Sequence, residues 1–424
     1  MVRKHIAAFI FDINVPAGKA TLVALAFLVV VLTVVPTAQA QSFTVLHAFT
    51  GGQDGSEPMA GVTRDSAGNL YGTTYYGGAN RVGVVFKLNH RSSGWILTPL
   101  YSFQQGDGGY APVAGVTIGS DGNLYGTTTR GGQYDAGTVY KLSPAATLCK
   151  SFLCPWTETP LYQFTDGADG GYPQGALIFD SAGNLYGTAS GGGTGNNGVV
   201  FKLAHSASGW TQSVLYTFTG SPDGSAPLSG VTFDGNGNLY GTTDEGGPSN
   251  DGTVYELSPS GSGWTEKVLY AFQGSTDGAV PYAGVILDSE GNLYGATDLG
   301  GAGDGGTIFE LMPSNGNWTF SVLYSPVLNG LGGAAGTLAR SSNGTLYGTL
   351  FSGGGQGCSG YGCGSVFQLA PSNGGWVYTS LYNLNDSGAG GNPQGGLILD
   401  SAGNLYGTGT GLLGCCGIVF EVTP

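Results

Sequence analysis

Acidic residues recur in one short pattern, an Asp-Gly pair that precedes a proline by about four or five residues. The aspartates are Asp54, Asp107, Asp169, Asp223 and Asp277, with Asp386 in a less regular copy. Carboxylates gathered on one surface are suited to binding Ca²⁺ or the hydroxyl groups of a glycan. The simpler interpretation is that Asp and Gly build turns in which the carboxylate accepts hydrogen bonds from nearby backbone N–H groups. Because Ca²⁺ takes about six to eight oxygen ligands and no Asp-x-Asp-x-Asp loop occurs, we favour turns and expect no metal and no cofactor.

Residues that usually carry catalysis are scarce in this chain. After the first forty residues the histidines are His47, His90 and His205, and no G-x-S-x-G motif has Asp and His partners. His47 stands where the other copies of a repeated unit have tyrosine, and His90 and His205 occupy equivalent positions in two copies. We therefore predict a protein without catalytic residues or enzymatic activity.

Six cysteines fall into three close pairs, namely Cys149 with Cys154, Cys358 with Cys363, and Cys415 beside Cys416. Close pairs in an exported protein form local disulfides, and we predict this bond for the first two pairs. A bond between the adjacent Cys415 and Cys416 would be strained, so these two are expected to be free or to pair elsewhere. No histidine lies near a cysteine in the sequence, which argues against a zinc site.

Glycine content indicates the architecture that positions these residues. The chain has 424 residues, of which 81 are Gly, while 41% are hydrophobic, 11% are aromatic and 9% are charged. The absence of a three-residue Gly period excludes collagen, and the aromatic content is too high for a disordered chain. An all-β chain with many tight turns is therefore expected.

One unit is repeated seven times. The string G-N-L-Y-G-T or a close variant recurs at intervals of 54, 61, 54, 54, 53 and 59 residues, with its tyrosine at Tyr71, Tyr125, Tyr186, Tyr240, Tyr294, Tyr347 and Tyr406. Four strand signals recur in the same order in the first six units: G-V-x-x-D, L-Y-G-T, G-T-V-Y-K-L, and a strand that runs from Trp to L-Y-x-F. Four antiparallel strands per unit predict a β-propeller blade. A solenoid, the alternative, would have shorter coils and capped ends.

The two ends of the repeat array complement each other. The seventh unit lacks its fourth strand, and the segment 43–49 carries an L-H-x-F that matches it. We predict a single seven-bladed propeller over residues 41–424, closed by segment 43–49 so that no sheet edge is exposed. The repeat units span roughly residues 50–103, 104–164, 165–218, 219–272, 273–324, 325–384 and 385–424.

Glycine and tryptophan have structural interpretations in such a ring. The Gly of L-Y-G-T is expected to let neighbouring blades approach, and glycines of the first strands leave room at the axis. The axial glycines are Gly61, Gly115, Gly175, Gly230, Gly284, Gly336 and Gly396. Six tryptophans, one at the start of each fourth strand in units one to six, indicate packing between blades, with stacking on carbohydrate as the alternative.

The first forty residues are typical of a secretory signal peptide. Arg3 and Lys4 precede an apolar run over residues 22–35, and Ala38-Gln39-Ala40 matches a signal peptidase site. We predict cleavage after Ala40, with an uncleaved anchor as the alternative. Removing residues 1–40 changes the formal net charge from −14 to −16, because three basic residues and one acidic residue are lost. Such a charge repels nucleic acid and anionic membranes, so we expect neither as a partner. The signal peptide predicts a secreted, cell-surface or periplasmic protein, and we expect a monomer.

The repeated L-Y-G-T, with its following Gly-Gly and V-F/Y-K/E-L, resembles the Gloeo-Verruco (GloVer) tandem repeat of exported bacterial proteins called choice-of-anchor tandem-repeat proteins. The resemblance covers about residues 43–424. It implies an exported or surface-displayed bacterial repeat protein and carries no established activity. We expect a non-enzymatic binding or scaffold protein that holds a protein partner or polysaccharide on a Gly/Asp-rich loop face. The alternative is a propeller enzyme, a polysaccharide lyase or glycoside hydrolase, that uses carboxylates near the axis.

Overall fold

The computed structural model describes residues 41–92, 94–145, 156–327, 333–334, 336–354, 358, 362–385, 390–411 and 416–424. The predicted signal peptide and the residues Cys149, Cys154, Asp386 and Cys415 lie outside this range. Within it, regular structure consists of 28 β-strands and no α-helix. No helix in the described part of the chain is long and apolar enough to cross a membrane.

The strands form seven antiparallel four-stranded sheets, which are the blades of the predicted seven-bladed propeller. Listed from the inner to the outer strand, they are β2 (Thr63–Arg64), β3 (Leu70–Thr74), β4 (Val84–Arg91) and β5 (Gly94–Ser102) in blade 1; β6 (Thr117–Ile118), β7 (Leu124–Thr128), β8 (Thr138–Ser143) and β9 (Thr157–Gln163) in blade 2; β10 (Ile178–Phe179), β11 (Leu185–Ala189), β12 (Val199–Ser206) and β13 (Gly209–Thr217) in blade 3; β14 (Thr232–Phe233), β15 (Leu239–Thr243), β16 (Thr253–Ser260) and β17 (Gly263–Ala271) in blade 4; β18 (Ile286–Leu287), β19 (Leu293–Thr297), β20 (Thr307–Ser314) and β21 (Asn317–Tyr324) in blade 5; β22 (Ala339–Arg340), β23 (Leu346–Leu350), β24 (Ser365–Ser372) and β25 (Gly375–Asn383) in blade 6; and β26 (Ile398–Leu399), β27 (Leu405–Gly409), β28 (Ile418–Thr423) and β1 (Ser42–Ala48) in blade 7.

An aspartate builds the turn between the first two strands of a blade. In blade 1 the Asp65 carboxylate accepts hydrogen bonds from the Ala67 and Asn69 N–H groups at 3.0 and 2.8 Å, and from the Tyr71 hydroxyl at 3.1 Å. Gly68 adopts the positive φ that the turn requires, 86°. A local turn therefore fixes the register of each L-Y-G-T strand. The same contacts recur at Asp180, Asp234, Asp288 and Asp400.

The N-terminal strand closes the ring, as predicted. β1 pairs antiparallel with β28 in a register that places Phe43 opposite Val422. The Phe43 ring stacks on Tyr382 of blade 6 with a centroid distance of 3.9 Å. Nearer the axis, the Thr408 hydroxyl of blade 7 donates to the Ala60 carbonyl at the entrance to blade 1, at 2.8 Å. Blade 7 thus has the same four strands as the other blades and contacts both of its neighbours.

Tryptophans pack across the boundaries between blades, as predicted. Five of the six rings contact the L-Y-G-T tyrosine of the preceding blade edge to face, and the sixth, Trp156, packs against the cluster that contains Tyr71 of blade 1. With centroid distances of 6.1–6.5 Å, the pairs are Trp95 with Tyr406, Trp210 with Tyr125, Trp264 with Tyr186, Trp318 with Tyr240, and Trp376 with Tyr294.

The glycine of L-Y-G-T makes its close contact inside a blade. Gly72 lies opposite Phe86 of the third strand, and a Cβ atom at Gly72 would be 2.6 Å from the Phe86 ring. The prediction that this glycine lets neighbouring blades approach is therefore wrong, because the space it leaves is filled by an aromatic ring of its own sheet. Crowding at the axis is confirmed, since a Cβ atom at Gly61 would lie 2.3 Å from the Gly396 carbonyl oxygen.

Cys358 and Cys363 form one of the two predicted disulfides, with their Cα atoms 5.1 Å apart. Both residues belong to a buried cluster that joins blades 6 and 7. Cys416 packs against the cluster at the boundary between blades 7 and 1.

Candidate functional site

Two sets of loops lie on one face of the propeller, which we call the loop face. The first set enters each blade from the preceding one, and the second joins the second and third strands. Isolated β-bridges connect the two sets, between Ser56 and Tyr76 in blade 1 and between Tyr110 and Arg130 in blade 2. The entry loops contain the aspartates of the Asp-Gly…Pro pattern.

Asp54 holds the entry loop of blade 1 together. Its Oδ2 atom accepts a hydrogen bond from the Thr50 N–H at 2.9 Å and lies 3.1 Å from His47 Nε2. Its Oδ1 atom accepts a hydrogen bond from the Thr50 hydroxyl. The contacts are those of a turn residue. Asp169, Asp223 and Asp277 also accept a backbone N–H four residues earlier, with a tyrosine hydroxyl in place of His47.

The same hydrogen bonds keep the Asp54 side chain ionised. Burial alone would raise its pKa, but the hydrogen bonds from Thr50 and His47 outweigh burial and hold the pKa of Asp54 below its ordinary value. The carboxylate is therefore charged and already engaged with donors, which a cation would have to displace. Across the described ranges, no group of three or more His, Cys, Asp or Glu side chains is arranged to hold a metal ion.

Asp107 does not occupy the position of the other aspartates. In blades 1, 3, 4 and 5 the aspartate is the fifth residue after the phenylalanine that opens the entry loop. In blade 2 that residue is Gly108, and Asp107 is exposed one position earlier. The carboxylate of Glu158, in β9, fills the space that an aspartate side chain at position 108 would take. A Cβ atom at Gly108 would lie 2.3 Å from the Glu158 Oε2 atom. The Tyr101 hydroxyl donates to that oxygen at 2.9 Å. Glu158 thus accepts the tyrosine hydrogen bond that an aspartate accepts in blades 3 to 5.

An aromatic band crosses the loop face over blades 1 to 3. We define the tyrosine band as Tyr75, Tyr76, Tyr110, Arg130, Tyr134 and Tyr172. The rings of Tyr75 and Tyr76 meet edge to face at 4.4 Å, and the Arg130 guanidinium lies over the Tyr172 ring at 5.0 Å. The side chains of Tyr76 and Tyr134 are 46% and 57% exposed. Large aromatic surfaces are therefore available to a ligand here.

Carboxylates lie beside the rings of the tyrosine band. The Tyr172 hydroxyl donates to Asp166 at 3.1 Å, and Arg130 lies 4.0 Å from Asp135. Burial and a hydrogen bond to Asp135 raise the pKa of Tyr110, and burial with the Asp166 contact raises that of Tyr172. Both hydroxyls therefore stay protonated at neutral pH. The band combines aromatic faces, hydroxyl and guanidinium donors, and carboxylate acceptors.

A channel of about 440 Å³ follows the propeller axis and is lined by the first strands of the blades. Its lining includes Tyr282, whose pKa is raised by burial and by the charges of Asp244 and Asp298. Burial, with the charges of Glu245 and Asp298, raises the pKa of Asp244 to about 6. Burial also raises the pKa of Asp298, although the Gly333 N–H donates to its Oδ1 atom at 2.9 Å. Asp244 and Asp298 are thus a pair of half-buried carboxyl groups close to Tyr282 of the channel lining.

The repeated sequence can be compared with known protein families. The Gloeobacter/Verrucomicrobia repeat family matches residues 31–232 and 206–420. The chain belongs to this family. The match confirms the resemblance that the L-Y-G-T motif indicated. Comparison with curated proteins gives no match.

Solved structures that resemble this Gloeobacter/Verrucomicrobia repeat protein share its fold. One is the extracellular domain of a protein described as a hybrid two-component system from B. thetaiotaomicron, with 14% identity and a TM-score of 0.53 over 89% of this chain and 40% of that chain. A second such extracellular domain from the same organism has 12% identity and a TM-score of 0.54 over 90% of this chain and 39% of that chain. The repeat protein thus spans about two fifths of the length of either chain. At these identities the similarity shows the fold alone.

The loop face of this Gloeobacter/Verrucomicrobia repeat protein departs from sevenfold symmetry in two sectors. Blades 1 to 3 carry the tyrosine band, and blades 4 and 5 carry Asp244 and Asp298. Neither sector is predicted by the repeat pattern, which emphasises positions that recur. Both sectors consist of loop residues at positions that differ from one repeat unit to the next. The position of Tyr76 in blade 1 is filled by Arg130, Gly191, Glu245 and Leu299 in blades 2 to 5.

Proposed function

We propose that the protein is an exported, non-enzymatic propeller that binds a neutral polysaccharide on the tyrosine band. The observation that carries the proposal is the band itself, in which tyrosine rings, a guanidinium and carboxylates lie side by side on blades 1 to 3. Packing between blades accounts for the buried aromatic residues. It does not account for Tyr76 and Tyr134, which are about half exposed to solvent.

The groups of the band match the two kinds of surface that a sugar presents. A pyranose ring has a face of C–H groups, which packs on an aromatic ring, and a rim of hydroxyls, which exchange hydrogen bonds with carboxylates and Arg. Tyrosine offers a large, rigid contact area with little side-chain entropy to lose. Because the band runs across parts of three blades, it suits an extended polysaccharide better than a single sugar.

The negative net charge of the protein favours neutral polysaccharides over anionic ones. Without residues 1–40 the formal net charge is −16, since −14 loses three basic residues and one acidic residue. An anionic chain such as a polyuronate is repelled by that field within a Debye length, about 8–10 Å. The guanidinium of the band, Arg130, already lies 4.0 Å from Asp135. A neutral polysaccharide is therefore the better ligand.

Three features support export. Residues 1–40 have the composition of a signal peptide. The Cys358–Cys363 disulfide is typical of an oxidising compartment. The two similar structures described above are extracellular domains. We therefore propose that the propeller works outside the cytoplasm, where polysaccharides are found.

Isothermal titration of the purified mature protein with neutral glucans, mannans and xylans tests the proposal, with polygalacturonate as the anionic comparison. Tyr76→Ala combined with Tyr110→Ala should weaken binding at least about 10-fold, because tyrosines at binding hot spots contribute about 2 kcal/mol or more. The matched control is Leu299→Ala, which removes an exposed side chain at the blade 5 position equivalent to Tyr76. It should leave the affinity unchanged. Lack of binding to every neutral polysaccharide, or equal losses in the two variants, would contradict the proposal.

One observation favours an enzymatic alternative, a polysaccharide hydrolase or lyase. Asp244 and Asp298 lie close to Tyr282, which lines the axial channel, and the raised pKa of Asp244, about 6, suits a general acid. Incubation with the same polysaccharides, followed by assays for reducing ends and unsaturated products, tests this alternative. Asp244→Asn should abolish turnover and leave binding at the tyrosine band intact. Intact substrate after prolonged incubation would count against the enzymatic alternative.

A further inference from the structure

A second asymmetry of the ring lies inside the blades. Five blades have phenylalanine in the third strand, opposite the L-Y-G-T glycine, whereas blades 2 and 4 have Tyr140 and Tyr255. Both tyrosines are fully buried, and in the part of the chain that the structure describes neither hydroxyl has a hydrogen-bond partner. Native proteins rarely leave a buried hydroxyl without a partner. These two hydroxyls therefore indicate a missing hydrogen-bonding group.

A glutamate accompanies each of these tyrosines. Glu158 in blade 2 and Glu266 in blade 4 lie on the outer strand, diagonally across from the tyrosine and on the same face of the sheet. Diagonal neighbours of this kind are about 7–8 Å apart along the backbone, within reach of long side chains. The Oε1 atom of each glutamate is also buried, again without a partner among the described residues. Each blade thus holds one unsatisfied donor and one unsatisfied acceptor.

Comparison with the other five blades shows that the third-strand tyrosine and the outer-strand glutamate occur together. Where the third strand has phenylalanine, the diagonal position has no carboxylate, and in blade 5 Phe309 and Phe320 pack ring to ring at 5.7 Å. The third-strand hydroxyl is thus present where the glutamate is present, which indicates that both serve one purpose. The residues at the glutamate position in blades 1, 3, 5, 6 and 7 are Leu97, Gln212, Phe320, Tyr378 and Phe43.

We propose that blades 2 and 4 each bind one internal water molecule between the tyrosine hydroxyl and the glutamate Oε1 atom. The hydroxyl donates to the water, and the water donates to the carboxylate, so both buried groups are satisfied. In blade 2 the Tyr101 hydroxyl already donates to Glu158 Oε2 at 2.9 Å. A single carboxylate with one free oxygen is a poor cation site, because cations take several oxygen ligands. Water is the better ligand, because it accepts from the hydroxyl and donates to the carboxylate.

The two water sites link the blade interiors to the entry loops. Glu158 packs against Gly108 of the blade 2 entry loop, where the entry loops of blades 1, 3, 4 and 5 have aspartate. Glu266 is close enough to Asp223 of the blade 4 entry loop for the charge of Asp223 to raise its pKa, after the larger effect of burial. Each hydrated tyrosine–glutamate pair therefore lies directly beneath an entry loop of the loop face.

A high-resolution crystal structure of the mature protein tests the proposal directly. We expect one ordered water within hydrogen-bonding distance of Tyr140 and Glu158, and another between Tyr255 and Glu266. A direct hydrogen bond between hydroxyl and carboxylate in either blade, or a dry gap between them, would overturn the proposal.

Thermal unfolding supplies an independent test in solution. Tyr255→Phe and Glu266→Phe should each lower the melting temperature by about 1–4 °C, because each leaves the other group without its full set of partners. The double variant copies the Phe309–Phe320 pair of blade 5 and should melt closer to wild type than either single variant. The proposal would be contradicted if the melting temperature of the double variant fell by the sum of the two single-variant decreases.

The matched control adds a hydroxyl where no glutamate accompanies it. Phe201→Tyr in blade 3 places the new hydroxyl diagonally from Gln212, whose side-chain amide already donates to the Asp169 carbonyl at 3.1 Å. This variant should melt below wild type, and Phe201→Tyr with Gln212→Glu should recover the loss. A Phe201→Tyr variant that melts like wild type would show that a lone hydroxyl is tolerated, against the proposal.

Discussion

Leu46 in β1 is a direct probe of ring closure. Its side chain is 8% exposed and lies in the core between blades 7 and 1, although β1 is not connected to β28 by a hairpin. Leu46→Ala should lower the free energy of unfolding by about 3 kcal/mol, within the range of about 2–5 kcal/mol for a buried leucine. That change is more than about 100-fold in the folding equilibrium.

Leu381→Ala in blade 6 is the matched control for this prediction. Leu381 has the equivalent position in β25, is 5% exposed, and belongs to a strand that a hairpin ties to its neighbour. Guanidinium unfolding followed by tryptophan fluorescence should show similar midpoint shifts for the two variants. If Leu381→Ala lowers the midpoint and Leu46→Ala does not, β1 does not complete the last sheet and the reasoning is refuted.

The remaining predictions concern the buried glutamates, the entry-loop aspartates and the disulfide. Burial, joined at Glu266 by the charge of Asp223, raises the pKa of Glu158 and Glu266 to about 7. The stability that depends on their protonated forms is therefore complete below about pH 4.5 and is lost as the pH rises through about 7. The melting temperature should fall more steeply between about pH 5 and about pH 8 in wild type than in the Glu158→Gln/Glu266→Gln variant, and equal slopes would contradict the assignment. Because hydrogen-bond donors engage the entry-loop aspartates, EDTA should leave the melting temperature unchanged; a drop that added Ca²⁺ reverses would reveal a calcium site. Replacing both disulfide cysteines, Cys358→Ser and Cys363→Ser, should lower the free energy of unfolding by about 2 kcal/mol in thermal melts, and no loss would show that the bond does not stabilise the fold.

Repetition is the reason that the fold could be predicted from the sequence. Each strand and turn signal occurs in several copies, so the Asp65 turn of one blade is supported by the equivalent turns of others. Closure could be predicted for the same reason, since segment 43–49 carries the motif that the seventh unit lacks. The periodic sequence thus specifies both the blade and the number of blades.

Contacts between distant residues could not be predicted from local strings. The Asp-Gly string groups Asp107 with the other aspartates, but in the fold Gly108 occupies their position and Glu158, from the far side of the repeat, supplies the carboxylate. The Gly72 contact with Phe86 likewise depends on strand register, which the L-Y-G-T string alone does not contain. Alignment of the units by their entry-loop phenylalanine shows that Gly108, not Asp107, occupies the aspartate position, but it does not show which residue fills the space.

The tyrosine band could not be predicted because it lies where the repeats differ. Tyr76 and Arg130 occupy equivalent loop positions on adjacent blades, and Tyr172 reaches Arg130 from the next entry loop. Their proximity depends on the arrangement of blades around the axis, not on any motif. Departures from the repeat are thus the sequence feature to examine for function in such a ring.

The most direct test of polysaccharide binding is a crystal structure of the mature protein with an oligosaccharide of the polysaccharide that binds most tightly in titration. Binding on the tyrosine band predicts sugar rings packed on Tyr76 and Tyr110, with hydroxyls hydrogen-bonded to Asp135. An oligosaccharide bound instead at the axial channel, beside Asp244 and Asp298, would contradict it.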